Sequence, residues 1–472
     1  MKAPAHDPAK LFIRLFTPLV LCALCTAAAA ASRNVILIIG DGFDDQHVTM
    51  GRNYLAGMSG TLGVDSLPFR GAVQVETLST AGRPTYVADS ANTATAIATG
   101  AITSVGRIGT DIRDRDLPTI AEQAVTAGLR VGLVTTSSIT DATPASFLAH
   151  VSSRSCEGPE EILGSTYYGI PQPSCPQDAL ENGGPGSIIE QLVMSGAQIL
   201  LGGGQKFLAQ ETSAGESVRA LAERNGFRVL TTPSELRPGL PEQKIIGLFD
   251  SENLKVRWRG SEGRRAEMAE KSWLNHLFDY LGEVKAPEPM ACEPNPEATD
   301  TPPLALMTDI ALRQLSIDNP RGFFLMVESA SIDKQSHKRD PCGSIGEIEQ
   351  LEEALARAMA FANNHGNTLI VVTADHAQAA QILPEPSHYA EYPMPIYSPG
   401  HTARLKTPEG SIMRINYATN NGFSEEHTGA NVPLFANRTD QALLTPFITQ
   451  TGLYEAIKVF LLPEGGGELV TD

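Results

Sequence analysis

Basic charge is in short supply. The 472 residues carry 36 Lys and Arg against 54 Asp and Glu, giving a formal charge of −18 and a pI near 5.0. An acidic surface repels phosphate backbones and anionic lipid, so a nucleic-acid or peripheral-membrane role is not expected. A small anionic substrate would need a local concentration of positive charge, and bound metal ions are one source of it. Of six cysteines, the four that lie beyond the N-terminal apolar run form no C-x-x-C pair, which argues against a zinc–cysteine site. There is no G-x-S-x-G elbow around Ser90, and Gly202-Gly203-Gly204 lacks the spacing of a G-x-x-x-x-G-K-[ST] phosphate loop. No internal repeat or low-complexity segment stands out. With 42% hydrophobic and 19% charged residues, the chain can bury a large core, which excludes disordered, collagenous and coiled-coil classes.

The one long apolar run, Leu15–Cys25, is too short to span a membrane. Lys2, Lys10 and Arg14 precede it, and Ala27–Ala31 offers small residues for cleavage, so residues 1–31 read as a signal peptide. The mature chain, residues 32–472, is then exported, periplasmic or secreted, with no membrane attachment. It keeps Cys156, Cys175, Cys292 and Cys342, an even set that points to two disulfides with three pairings open.

Short apolar runs alternate with helical patterns. Val35–Gly40, Val131–Thr135, Ile199–Leu201, Ile245–Leu248, Phe323–Val327 and Leu369–Thr373 read as strands apolar on both faces, as parallel strands covered by helices are. Leu117–Ala127, with Pro118 at its start and Gly128 beyond its end, reads as a helix. Gly346–Asn364 does too, with Ile348, Leu351, Leu355 and Ala358 along one face. The pattern predicts one domain, a three-layer α/β/α sandwich with a large, mostly parallel central sheet and inserted loops. The stretch from Ser251 to Pro303, richer in charge and proline, reads as an insertion.

Ligands of such folds sit beyond the carboxyl ends of the strands. The first strand runs into Asp41, the Phe323–Val327 strand into Glu328 followed by Asp333, Lys334 and His337, and the Leu369–Thr373 strand into Asp375 and His376. His427 sits in a polar loop downstream. Like charges at close range raise one another's pKa, a conflict that divalent cations remove. Mixed Asp/His sets suit zinc and all-oxygen sets suit magnesium. Singly, each residue has a plainer role, a helix cap for a strand-end Asp or an exposed pair for Asp333 and His337. His47, His276, His365, His388 and His401 lack such a context and read as structural. Asp89-Ser90 precedes an Ala/Thr-rich helical stretch, whose N-terminus favours an alkoxide or phosphate beside the serine. With no histidine base in evidence, metal coordination could activate Ser90.

Together, Gly40-Asp41-Gly42, Asp89-Ser90-Ala91, Asp141-Ala142-Thr143-Pro144, Glu328 with Ser331-Ile332-Asp333-Lys334-Gln335-x-His337, Thr373-Ala374-Asp375-His376-Ala377 and His427-Thr428-Gly429 resemble the bacterial alkaline phosphatase family. The resemblance runs in order over nearly the whole mature chain. It implies metal-dependent hydrolysis of phosphate monoesters through a phosphoserine at Ser90, with broad specificity and an alkaline optimum. It implies two zinc ions and one magnesium per subunit: one zinc on Asp333, His337 and His427, the second on Asp41, Asp375 and His376, and magnesium on Asp41, Thr143 and Glu328, with Asp141 ordering its waters. Arg154 would clamp phosphate, Asp89 would orient Arg154, and Lys334 would reach phosphate through water. Sequential pairing, Cys156 with Cys175 and Cys292 with Cys342, is implied as well.

The chain departs from the family pattern in places. Asn92 replaces a very small residue and is expected to crowd the start of the helix. Gln378 stands where some relatives carry a histidine beside the zinc ligands, so zinc affinity or turnover is expected to differ. Only residues 32–40 precede Asp41 after the proposed cut, a short arm for the homodimer that the family implies. The competing readings are a phosphodiesterase or sulfatase-like hydrolase of the same superfamily, and a non-catalytic exported metal- or phosphate-binding protein. Arg154 and a complete magnesium set favour dianionic monoesters, and a non-catalytic protein would not need both Ser90 and Arg154.

Overall fold

The computed structural model describes residues 32–167, 169–440 and 443–463, all within one compact unit. The proposed signal peptide, residues 1–31, lies outside the described residues. Strand β1, Arg33–Gly40, is buried from Asn34 onward because both of its edges and both of its faces are covered. It pairs in parallel with Gly322–Ser329 on one side and Thr368–Ala374 on the other.

Around β1 the described residues form a ten-stranded sheet. In chain order its strands are β1, β2 (Phe69–Gln74), β3 (Arg130–Ser138), β4 (Ile199–Gly203), β5 (Phe227–Leu230), β6 (Lys244–Leu248), β7 (Gly322–Ser329), β8 (Thr368–Ala374), β9 (Val432–Ala436) and β10 (Phe447–Thr449). In space the order is β10-β2-β9-β8-β1-β7-β3-β4-β6-β5. Only β9 runs antiparallel to its neighbours, β8 and β2. The six strands expected from the sequence are all here. Of the other four, β2 and β5 are interrupted by the exposed Arg70 and Arg228, β10 is short, and β9, apolar and buried throughout, contains Pro433.

Two sets of helices cover the sheet, which gives the expected three layers. Asp45–Leu55 (α1), Leu304–Ser316 (α4) and Pro341–Asn364 (α6) pack together, as do Ser90–Thr99 (α2), Ile120–Thr126 (α3) and Gln450–Leu461 (α7); α6 and α7 both reach β1. The short helix Ser331–His337 (α5) follows β7. Helix α3 begins three residues later than the sequence pattern predicts. Thr119 caps it by accepting from the Glu122 amide, while Glu122 accepts from the Thr119 amide. Helix α6 begins five residues earlier than expected, at Pro341, because Asp340 accepts from the Gly343 amide and Pro341 fits the first turn. Gly346 lies inside α6 because Trp258 packs there: a Cβ would come within 2.5 Å of Trp258 Cδ1.

The Ser251–Pro303 stretch contributes short strands, none of them in the central sheet, and the short helix Trp273–Leu277. Trp258–Gly260 pairs with Cys292–Pro294, and Glu267–Met268 joins a small antiparallel sheet built on His401–Lys406 and Ile412–Tyr417. Disulfides join Cys156 to Cys175 and Cys292 to Cys342. The second of these ties the stretch to the first turn of α6.

Candidate active site

Sheet register brings the acidic residues to one edge. Gly40, the last residue of β1, lies opposite Ser329 and Ala374, so Asp41 and Asp375 leave adjacent strands at the same level. Glu328 sits one residue back, opposite Ile39. Gly42 turns the chain with φ +69°, and a Cβ there would meet Gln378 and Asp333 at 3.0–3.1 Å. Its amide donates to Asp375 Oδ1 at 3.1 Å.

Ser90 is the first residue of α2 and is buried, with Oγ 3.1 Å from His376 Nε2. Asp89 caps the helix, accepting from the Asn92 amide, and Asn92 Oδ1 accepts from the Asp89 amide at 3.0 Å. The expected crowding by Asn92 is therefore not found. Its side chain completes a capping box, and its Nδ2 donates to Thr77 Oγ1. Asp89 also accepts from the Gly106 amide and from Arg154 Nη1, at 3.1 and 3.2 Å. Arg154 Nη2 donates to Asp141 Oδ1 at 2.9 Å, and Lys334 Nζ donates to Asp141 Oδ2. The two cations are thus tied through one carboxylate.

The imidazoles have their tautomers set by backbone carbonyls. His337 Nδ1 faces Glu425 O, His427 Nδ1 faces Ala88 O at 2.7 Å, and His376 Nδ1 faces Ala377 O at 3.2 Å. Each Nδ1–H donates outward, which leaves an Nε2 lone pair pointing into the site. The Nε2 atoms of His337 and His427 stand 3.0 Å apart, each 3.4 Å from an Asp333 oxygen. His376 Nε2 lies 3.4 Å from Asp41 Oδ1 and 3.4 Å from Asp375 Oδ2. Two lone pairs that close, beside a carboxylate, call for a cation between them.

The acids give the same reading. Burial, then Asp375, Asp333 and Glu328, hold the Asp41 carboxyl well above the usual range. Burial and then Asp141 push Glu328 up to about 7, although Thr135 and Ser137 hydroxyls donate to it. Burial opposes ionisation of Asp141 too, but Lys334 and Arg154 more than offset it and hold it ionised far below the ordinary value. Asp333 is likewise lowered, by His337 and His427 against burial. Asp41 Oδ1, Asp375 Oδ2 and Thr143 Oγ1 are buried without a hydrogen-bond partner. Such orphaned oxygens carry a cost of about 1–3 kcal/mol each unless a ligand satisfies them. The donors fall into groups fit for metal ions: Asp333, His337 and His427 in one, and Asp41, Asp333 and His376 in another. Nitrogen–carboxylate sets of this kind suit divalent metal ions.

The alkaline phosphatase family model matches residues 32–442. The chain belongs to the alkaline phosphatase family. It is 40% identical to the alkaline phosphatase of Escherichia coli over 440 residues, 91% of this chain and 86% of that protein. It is 40% identical to alkaline phosphatase H of Pseudomonas aeruginosa, over 90% of this chain and 84% of the relative. Streptomycin-6-phosphate phosphatase of Streptomyces griseus is 37% identical over 90% of both chains. Among solved structures, the alkaline phosphatase of the Antarctic bacterium TAB5 superposes with a TM-score of 0.63 at 23% identity, covering 91% of this chain and 98% of that one. The Thermus thermophilus enzyme also gives 0.63, at 19% identity over 92% and 93%. This alkaline phosphatase is a metal-dependent phosphoric monoester hydrolase.

Two of its positioning residues carry no sequence signal. Arg339, left-handed at φ +59°, donates from Nε to Glu425 Oε2 at 2.6 Å in a buried ion pair. Glu425 Oε1 accepts from Thr419, its amide donates to His337 O at 3.0 Å, and its carbonyl takes the His337 Nδ1 proton. The His427 loop and His337 are thus stitched together by residues 86 positions apart. Gln378 holds Asp333 from outside the ligand group, Nε2 to Oδ1 at 2.5 Å. We expect Glu425→Ala to weaken metal binding about 10–100-fold, read by competition with a chromophoric chelator, with kcat at saturating metal changed far less. Of the histidines expected to be structural, His47 is fully buried, bridging Asp44 and Ser336 at 2.8 and 2.9 Å.

Proposed function

We propose that this enzyme transfers the phosphoryl group of small phosphate monoesters to Ser90 and then to water, releasing first the alcohol and then inorganic phosphate. The Ser90 Oγ placement carries the reading: it lies at a helix N-terminus, 3.1 Å from His376 Nε2, which itself stands 3.4 Å from each of the orphaned Asp41 and Asp375 oxygens. Asp333, His337 and His427 would hold one zinc, Asp41, Asp375 and His376 the second, and Asp41, Thr143 and Glu328 magnesium, with Asp141 ordering water around it. Bound there, the metals supply the positive charge that lets the Ser90 hydroxyl shed its proton and that balances the departing alkoxide.

In the first step Ser90 Oγ forms a bond to phosphorus as the ester oxygen leaves. The α2 amides and dipole favour the charge developing at their end. Arg154, held by Asp89 and Asp141, presents its remaining N–H donors to two phosphate oxygens as a rigid fork. Lys334, kept protonated by Asp141, reaches phosphate through water. Every one of these groups grips the phosphoryl end, so the alcohol is loosely specified and substrate range is broad. In the second step water takes the place of the alcohol and the Oγ–P bond breaks.

Arg154→Ala should cost a phosphomonoester about 10²-fold in kcat/KM and a phosphodiester much less, because only the monoester carries the extra charge that the fork neutralises. Rates for 4-nitrophenyl phosphate and its bis-ester, measured with metal content by elemental analysis, test this; a diester preferred by wild type would overturn it. Residues 1–31 as a cleaved signal peptide, a periplasmic location and a homodimer complete the proposal. No described helix is long and apolar enough to cross a membrane. Light scattering of the mature chain reads the dimer.

A further inference from the structure

Beside the phosphate site lies a polar cavity of about 380 Å³ that shares Lys334 with it and whose other lining residues the mechanism does not use. Helix α5 is the wall between the two. Asp333 and His337, four residues apart, face the metal-binding groups, whereas Ser331, Lys334, Gln335 and Lys338 line the cavity from the other side of the helix. Lys255, Arg259 and Arg265, from the segment outside the central sheet, complete the cationic lining. Five basic residues thus line the cavity against three acids, in a chain whose overall charge is −18.

Most of those charges are already partnered. Lys255 pairs with Asp250 at 3.5 Å, Arg259 with Glu293 at 2.9 Å, and Lys334 with Asp141. Of the acids, Glu252 is paired with Lys206 at 3.2 Å, and Asp340 is buried as the cap of α6. Arg265 and Lys338 are exposed and, among the described residues, have no ion-pair partner within 4.0 Å. Lys338 stands within electrostatic reach of Arg265, Lys334 and Lys255, all of like charge, and of the single carboxylate of Asp340, which also faces Arg265 and offsets part of that repulsion. A cluster of cations that repel one another is stabilised by a bound anion.

We propose that this cavity binds a second phosphate group, held by Arg265 and Lys338, next to the phosphoryl site served by Lys334. The group is either the distal phosphate of a polyanionic substrate or free inorganic phosphate. Guanidinium and ammonium donors match phosphate oxygens, and Lys334 borders both places. For the substrate source, the inference rests on the phosphomonoesterase reading and extends it to condensed phosphates and bisphosphates as a preferred class.

The test is the double variant Arg265→Gln/Lys338→Gln, whose exposed side chains can change without disturbing the core. Kinetics compare tripolyphosphate with 4-nitrophenyl phosphate, and calorimetry titrates inorganic phosphate into Ser90→Ala with and without the double change. A distal-phosphate site raises KM for tripolyphosphate about tenfold and leaves KM for the simple monoester unchanged. A site for free phosphate instead removes a second binding event from the calorimetric isotherm while both KM values stay put. Unchanged kinetics together with an unchanged isotherm overturn the proposal. A wild type inactive on 4-nitrophenyl phosphate would sink the phosphomonoesterase reading alone, since the isotherm still tests the cavity.

Discussion

Ser90→Ala lowers kcat/KM for 4-nitrophenyl phosphate about 10⁴-fold, a loss of roughly 5 kcal/mol of transition-state stabilisation. The size follows from what the change removes and what it leaves. The Oγ atom is the only protein group that the proposed first step asks to form a bond, and it sits buried in the first turn of α2. Arg154, Lys334 and the helix N-terminus remain, so binding of phosphate survives and a residual rate over the uncatalysed reaction persists. Steady-state kinetics and acid-quench trapping of labelled phosphoserine read the two parts. Turnover near that of wild type would sink the mechanism.

Chelation gives the second large effect, in activity and in stability. Activity falls at least about 10³-fold, and the thermal stability of the stripped protein becomes strongly pH-dependent. The sign follows from Glu328 and Asp41. Both are raised in the folded, metal-free protein, by burial first and neighbouring carboxylates after it. A carboxyl with a raised folded pKa binds more protons in the folded chain than in the unfolded one, so stability falls as pH rises through that interval. For Glu328 the interval runs from the ordinary 4.5 to about 7 and is worth about 3 kcal/mol. Metal ions bound to ionised carboxylates reverse the preference, so the gap in melting temperature between loaded and stripped protein widens from pH 5 to pH 7. Asp141 is lowered, and its contribution disappears only on acidification below its ordinary range, outside this window. Calorimetric scans across the pH series check the prediction; a gap that narrows with rising pH contradicts it.

Much of this was legible in the linear chain because the chemistry follows strand ends. Apolar runs such as Val35–Gly40 and Leu369–Thr373 name buried parallel strands, and the polar residue after each falls at the sheet's carboxyl edge. The β2 and β9 strands were not legible. They pair with each other across hundreds of residues, Arg70 breaks the apolar pattern of β2, and Pro433, which lacks an N–H, argues against a strand in β9. Asn92 shows the opposite failure. Its bulk is visible in sequence, but whether bulk obstructs or caps depends on where Thr77 and Thr103 stand around the helix start.

By itself, the sequence determined the layered fold, the strand-end acidic and imidazole residues and the even set of cysteines, because each depends on local pattern and spacing; the role proposed for Ser90 came only with the resemblance to the alkaline phosphatase family. Only the tertiary structure decided how these groups face one another. The opposed lone pairs of His337 and His427, the single carboxylate tying Arg154 to Lys334, and the Arg339–Glu425 pair holding the last loop all need distances between remote segments. The cationic cavity belongs to the same category. Its lining residues look like an ordinary solvated charge run until α5 turns one side toward the catalytic edge and the other toward Arg265. Periodicity fixes which face of an element is apolar, but the partner that each polar side chain meets is set by packing across the whole domain.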